Sequence, residues 1–431
     1  MSVVDDKMGS ERATQFRVTK LIGPGLIVAA AGIGAGDLVA STLGGASYGL
    51  TFLWVVALAA FLKCFLNEGI GRWQLATETT AIEGWVNHLP WIVRAFFGFY
   101  LIIWTVSVSA SLSNACGLGI TNLTGGAIPQ SWGAVIHSLI GCAFVIIGGF
   151  EGFEKVMKVL IGIMFFTIIS CAALTFHNPI GFFQGLAIPS IPAGGGSTVL
   201  SVLGGIGGSV TMLSYNYWLR EEKMVGPKWV KFIRADITIA YIFTAIFGIS
   251  VMSIANQAFF LAGVKITDSQ AVTQMASTLG TILGPVGFYA YSIGFWAAVT
   301  ASLLAVWQSV PYIFADFWGL IRKYPRDVRQ EITKVTSTPY RLALAYITLA
   351  AIPFAFMKQP LVIIKTYTII GSLFIPFLAG TLLYLNNFKL PTNSGVNRNS
   401  LLTNAVMTLA MILFAYIGLR DLIKAAFGIQ I

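Results

Sequence analysis

Charge is what this chain has least of. Of its 431 residues 10% are charged, with 17 carboxylates and three histidines, against 56% hydrophobic. An ordinary soluble domain carries about a quarter charged residues, so composition alone excludes that class. Cysteine is scarce too: Cys64, Cys116, Cys142 and Cys171 lie singly within apolar runs. That excludes a disulfide framework and a thiolate metal site, and leaves four buried free thiols. His88, His137 and His177 map near span boundaries or loops, and none has the setting of a buried proton relay. Phosphate-loop and zinc-protease signatures do not occur, so neither an enzyme nor a cofactor is expected.

What the chain has in abundance is apolar length. Mean hydropathy is +0.79, and stretches long enough to cross a bilayer recur with short connections. Eleven spans are expected, at about 21–47, 50–67, 93–119, 131–148, 156–175, 198–219, 232–256, 283–317, 340–357, 361–385 and 401–419. The first and eighth are too long for one straight crossing and should tilt, break or run past the bilayer. Residues 1–20 read as a polar cytoplasmic segment without a cleavable signal, followed by one integral membrane domain over 21–431.

The basic excess gives +10 net charge, but its distribution speaks of topology. Placing the N-terminus in the cytoplasm puts about 21 Lys and Arg on inner loops and about four, Lys265, Lys358, Arg420 and Lys424, outside. Lys63 and Lys365 remain inside spans. An odd span count then sends the C-terminus outside. Lipid is thus the expected surroundings, a bacterial inner membrane the expected location, and no nucleic acid or obligate protein partner is called for.

One carboxylate lies deep in this apolar setting. Asp37 ends the run Gly32-Ile33-Gly34-Ala35-Gly36-Asp37 in the first span. A charge there costs roughly 2.5–3.5 kcal/mol and demands a partner. Closely spaced glycines also loosen the helix and free backbone carbonyls. An acid beside unpaired carbonyls describes a cation site. The alternative is a structural pairing of Asp37 with Lys63 of the second span. Glu68, Asp236 and Asp316 map near cytoplasmic ends, where water is close.

The sixth span repeats the pattern in Gly204-Gly205-Ile206-Gly207-Gly208-Ser209-Val210-Thr211-Met212. Interrupted helices at matching positions of two five-span halves are a mark of inverted-repeat transporters, whereas isolated glycines also serve close packing. The halves would be about 21–175 and 198–385, with 401–419 added. Ser209 and Thr211 offer oxygen ligands. Met212 offers a thioether, which prefers transition metals, or else simply fills a gap in the core. Tyr215, Asn216 and Tyr217 could support that shell. Thr300, Ser302 and Gln308 of the eighth span and Ser111, Ser113 and Asn114 of the third could line a pathway or bind neighbouring helices.

The run Ile22-Gly23-Pro24-Gly25-Leu26-Ile27-Val28, the first break, Tyr48-Gly49-Leu50-Thr51-Phe52-Leu53-Trp54 and Leu75-Ala76-Thr77-Glu78-Thr79 resemble the Nramp family of divalent-metal transporters. The resemblance extends over most of the chain and is weaker in its last third. It implies an all-α, leucine-transporter-like fold of eleven or twelve spans, and manganese or iron as cargo, commonly driven by protons. The chain departs from the family pattern at the site itself. Asp-Pro-Gly-Asn aligns with Gly34-Ala35-Gly36-Asp37, so the acid has moved. Met-Pro-His aligns with Met212-Leu213-Ser214, or one residue over with Leu213 at the methionine position. The acidic pair of the third span aligns near Ala110 and Ser113. Proton coupling needs a titratable group in the membrane, and only Asp37 remains, so coupling should be weak or absent. Related branches include magnesium carriers with larger sites.

The expected function is therefore a secondary transporter for Mn2+, Fe2+ or Mg2+, working by alternating access around the two breaks. Its ligand set is Asp37, Gly34, Ser209, Thr211 and Met212. The rival reading is an amino-acid or amine transporter of the same fold, with Lys63 in place of a coupling cation.

Overall fold

A computed structural model describes residues 24–266, 271–357 and 359–427. The expected N-terminal segment lies outside them. The described chain is helical, and no strand occurs among the described residues. It opens with α1 (Pro24–Gly32) and α2 (Ala35–Tyr48), two halves of one span bent by 54°. α3 (Leu53–Thr77) is the second span, and the short α4 (Ala81–His88) leads to the third, α5 (Trp91–Leu123).

The fourth and fifth spans form α6 (Gln130–Leu174), 45 residues with one non-helical residue, Gly149, at φ 57°. At 1.5 Å per residue that is about 68 Å, twice a hydrocarbon core, so α6 supplies two crossings. The expected loop at 149–155 shrinks to that glycine, which reaches the left-handed region at no steric cost. A short α7 (Pro179–Ala187) precedes the sixth span. This one is broken like the first: α8 (Gly196–Gly205), a glycine link, a 3-10 turn (Val210–Leu213) and α9 (Ser214–Glu221).

The seventh span is α10 (Val230–Ala255), closed by a π turn at Asn256–Phe260. α11 (Ala271–Leu283) then lies ahead of α12 (Pro285–Ile321), the eighth span. α12 runs unbroken for 37 residues, so its excess length projects past the bilayer. α13 (Arg326–Ile332) connects it to α14 (Thr338–Ala355), the ninth span. α15 (Pro360–Ser372) and α16 (Phe374–Tyr384) make the tenth, and α17 (Leu401–Phe427) the eleventh. The two broken spans thus open two five-span sets, with one span added.

Burial sorts the spans into inner and outer. The first, sixth and eighth are the most enclosed: α1 and the first half of α2 are buried along their length, and the sixth and eighth have 83% and 78% of their most apolar stretch buried, against 33% for the eleventh. Apolar side chains such as Phe99, Ile147 and Phe166 are exposed on the outer helices. In a soluble protein such a belt would drive aggregation; here it is the face that meets lipid. The chain is an integral membrane protein.

Candidate functional site

The two breaks meet at the centre. They can do so only because both faces are glycine: a Cβ on Gly32 would lie 2.7 Å from the Gly207 carbonyl carbon and 2.8 Å from the Gly208 nitrogen. One on Gly205 would lie 2.7 Å from the Gly36 oxygen. Gly207 and Gly208 carry φ of 76° and 78°, which a side chain would strain. Close approach and backbone reversal are therefore both glycine's doing.

Asp37 is fully buried in the first turn of α2. One carboxylate oxygen accepts the Gly34 N–H at 3.3 Å, reaching back over the helix N-terminus, where the backbone dipole favours an anion. The other crosses to the second break and accepts the Gly207 N–H at 3.0 Å. Two bonds use half of a carboxylate's roughly four acceptor positions and leave the rest for a cation.

Lys63 is fully buried too. Its ammonium is held by backbone: it donates to the Gly204 carbonyl at 3.0 Å and to the Ile206 carbonyl. The pairing with Asp37 raised as an alternative is thus indirect, through the second break. Tyr241 of α10 completes the set by donating its hydroxyl to the Gly207 carbonyl at 3.2 Å. The groups freed by unwinding the sixth span are bound by side chains of three other spans, as low dielectric requires.

The remaining candidates fall around this core. Ser302 of α12 donates to the Ala31 carbonyl at 2.8 Å, capping the end of α1, and its side chain fills the space a Cβ on Gly34 would need. Ser209 accepts the Trp104 indole N–H at 3.0 Å. Thr211 lies beside Gly208, its buried hydroxyl without a protein partner. Met212 is buried in the 3-10 turn. Ser111 and Ser113 of α5 also keep unpartnered hydroxyls. Others stand apart: Gln308 accepts from Trp218, and Asn114 donates to the Ala110 and Phe354 carbonyls. Among the described residues no group of three His, Cys, Asp or Glu converges to hold a metal.

Several expectations need correction. Asp236 and Asp316 are not close to water but 9% and 1% exposed. Asp236 accepts the Gly25 N–H at 2.7 Å and the Tyr215 hydroxyl at 3.1 Å, fastening the start of α1 to α9 and α10. Asp316 accepts from Thr80 and Tyr217 and faces Arg329 at 3.5 Å; Arg329 in turn grips both oxygens of Glu83, at 2.7 and 3.1 Å. This knot ties α4, α9, α12 and α13 together. His137 is not at a span boundary but buried in α6, with Nδ1 donating to the Gly133 carbonyl and Nε2 accepting from Trp296, so both ring nitrogens are taken up in packing. Asn216 and Tyr217 likewise serve packing, Asn216 through Ile70 and Ala81. Lys365 lines a cavity of about 490 Å³ with Ser47, Lys265 and Leu361. A separate void of about 10 Å³, at Leu38, Thr42 and Met275, shares Leu43 and Leu361 with that lining.

Lys63's destination, Trp104 and Tyr241 were beyond sequence reasoning. Each sits alone in an apolar run, and only the fold brings it to the break.

Comparison with known proteins agrees with this architecture. The chain is 24% identical to natural resistance-associated macrophage protein 1 of Ovis aries over 75% of its own length and 65% of that protein's, just under two thirds of the relative. It is 24% identical to the divalent metal cation transporter MntH of Bacillus subtilis, covering 72% of this chain and 74% of that one. A crystal structure of a mutant Eremococcus coleocola manganese transporter superposes with a TM-score of 0.71 at 15% identity, over 96% of this chain and 89% of that one. Finally, the family profile described as natural resistance-associated macrophage protein-like matches residues 25–424, and the chain belongs to that family, Nramp, whose members are transporters and not enzymes.

Proposed function

We propose that this chain is a secondary transporter that moves a divalent metal cation, Mn2+, Fe2+ or Mg2+, into the cytoplasm. The observation that carries the reading is Asp37: a fully buried carboxylate on one broken span that reaches the backbone of the other. It supplies the charge for a cation held between the breaks, with backbone oxygens near Gly34 and Ser209, the free Thr211 hydroxyl and the Met212 thioether completing the shell. The name of the Bacillus subtilis relative supports the substrate class.

In this reading the five-span units, about 21–175 and 198–385, move against each other around the fixed site. Opening to the cytoplasm frees α1 from Asp236, and opening outward widens the void at Thr42 and Met275. The positions aligned with the family's acidic pair, Ala110 and Ser113, cannot titrate, so metal moves with weak or no proton coupling. In this reading the N-terminus lies in the cytoplasm of a bacterial inner membrane and the C-terminus outside, and the distribution of basic loops supports that orientation.

A second reading, an amino-acid or amine carrier, is favoured by one observation: Lys63 and Asp37 together leave the break neutral, with no converging acidic cluster among the described residues. Manganese and magnesium uptake into proteoliposomes separates the two. The metal reading expects flux in wild type and its loss in Asp37→Ala; an amine carrier passes neither ion.

A further inference from the structure

We propose that the Lys63 ammonium is the resident monovalent cation of the second break, held on the carbonyls of Gly204 and Ile206, the kind of site at which sodium-driven broken-helix carriers hold a free alkali ion. α8 ends at Gly205 with Ile206 as its cap, so its last carbonyls have no helical partners and form the negative end of the helix dipole. Unwound carbonyls and half-helix C-termini of this kind are where broken-helix transporters bind Na+. Here the position is filled from within: the Lys63 ammonium lies within hydrogen-bond reach of two such carbonyls, and its stem packs against Gly207.

The anchoring is shared with the candidate metal ligand. The Ile206 carbonyl and the Gly207 N–H belong to one peptide unit; the first accepts from Lys63 and the second donates to Asp37. A cation at one end of that peptide and an anion at the other polarise it in the same sense, and each offsets the other's burial. Two consequences follow. The fold is complete without added Na+ or K+, and a divalent ion arriving at Asp37 meets a fixed positive charge nearby.

The first consequence is tested without any assumption about cargo. Purified protein is unfolded thermally in choline, sodium or potassium chloride at equal ionic strength. Wild type is expected to melt at the same temperature in all three. Lys63→Ala is expected to melt lower in choline and to recover saturably with Na+ or K+, as linkage demands of a vacated cation site. A Lys63→Ala protein indifferent to the cation, or a wild type stabilised saturably by Na+, overturns the proposal.

If Lys63→Ala does not fold, Lys63→Gln decides, because it keeps an amide donor and removes the charge. This arm rests on the metal reading. The KM for Mn2+ is expected to fall about tenfold with the like charge gone; an unchanged KM shows that Lys63 acts as a hydrogen-bond donor only and sinks the idea. Absence of Mn2+ flux in wild type counts against the metal reading alone; Lys63 is then judged by the choline-against-sodium melt of Lys63→Ala or, where that does not fold, of Lys63→Gln, in which saturable recovery with Na+ supports the proposal and indifference overturns it.

Discussion

Asp37 and Lys63 hold opposite ends of one peptide unit, the bond between Ile206 and Gly207. Neither residue is near the other in sequence or on the same helix as that peptide. Their convergence makes the second break a structured element rather than a flexible gap, and it sets what substitutions should do.

The two breaks touch through Gly32, where a Cβ would strike backbone that cannot rotate away. Gly32→Ala is expected to destabilise by about 1–3 kcal/mol through overpacking and to reduce metal uptake below about a tenth of wild type. Gly162→Ala, with open space around it, is the control and should leave both unchanged. Uptake and melting temperature measured on both variants check this.

The start of α1 is fastened by the Gly25 N–H to Asp236. Asp236→Ala should loosen that half-helix and raise amide exchange across Gly25–Gly32 about tenfold, the equivalent of one lost hydrogen bond of about 1.4 kcal/mol. Exchange measured by mass spectrometry would refute the latch if those amides were unaffected.

Arg329 is buried between Glu83 and Asp316, and removing it leaves, among the described residues, Glu83 only the longer 3.8 Å contact with Arg220 and Asp316 only the hydroxyls of Thr80 and Tyr217. Arg329→Ala is expected to cost about 3–5 kcal/mol. Lys334, whose pair with Glu331 is exposed, should be replaceable by alanine with no measurable change in melting temperature. Equal effects of the two substitutions would contradict this ranking.

Met212 and Leu213 are both buried in the same turn. If the Met212 thioether meets the ion, Met212→Ala should lower the preference for Mn2+ over Mg2+ in competitive uptake, since sulfur favours the softer metal. An unchanged preference leaves Met212 as packing.

The span plan was legible because hydropathy and glycine clustering are local signals. Both breaks, the added eleventh span and the excess length of α12 follow from them. The fourth and fifth spans were separable in sequence only as two apolar runs; that Gly149 alone divides them is a matter of one backbone conformation. The destinations of long polar side chains were not legible. Asp236 and Asp316 stood near span ends, and nothing in the sequence told that Gly25, Tyr215, Tyr217 and Arg329 would enclose them. Lys63 could be read as a partner for Asp37, yet its carbonyl ligands belong to a helix some 140 residues away.

The central claim is that Asp37 supplies the charge that holds a divalent cation between the breaks. The most direct measurement is equilibrium Mn2+ binding to purified wild type and Asp37→Asn, which keeps the side chain's shape and an acceptor for Gly207. The account predicts saturable binding in wild type and a dissociation constant at least about tenfold weaker in the variant, as expected for losing a charged ligand. Equal affinity in the two proteins would contradict it.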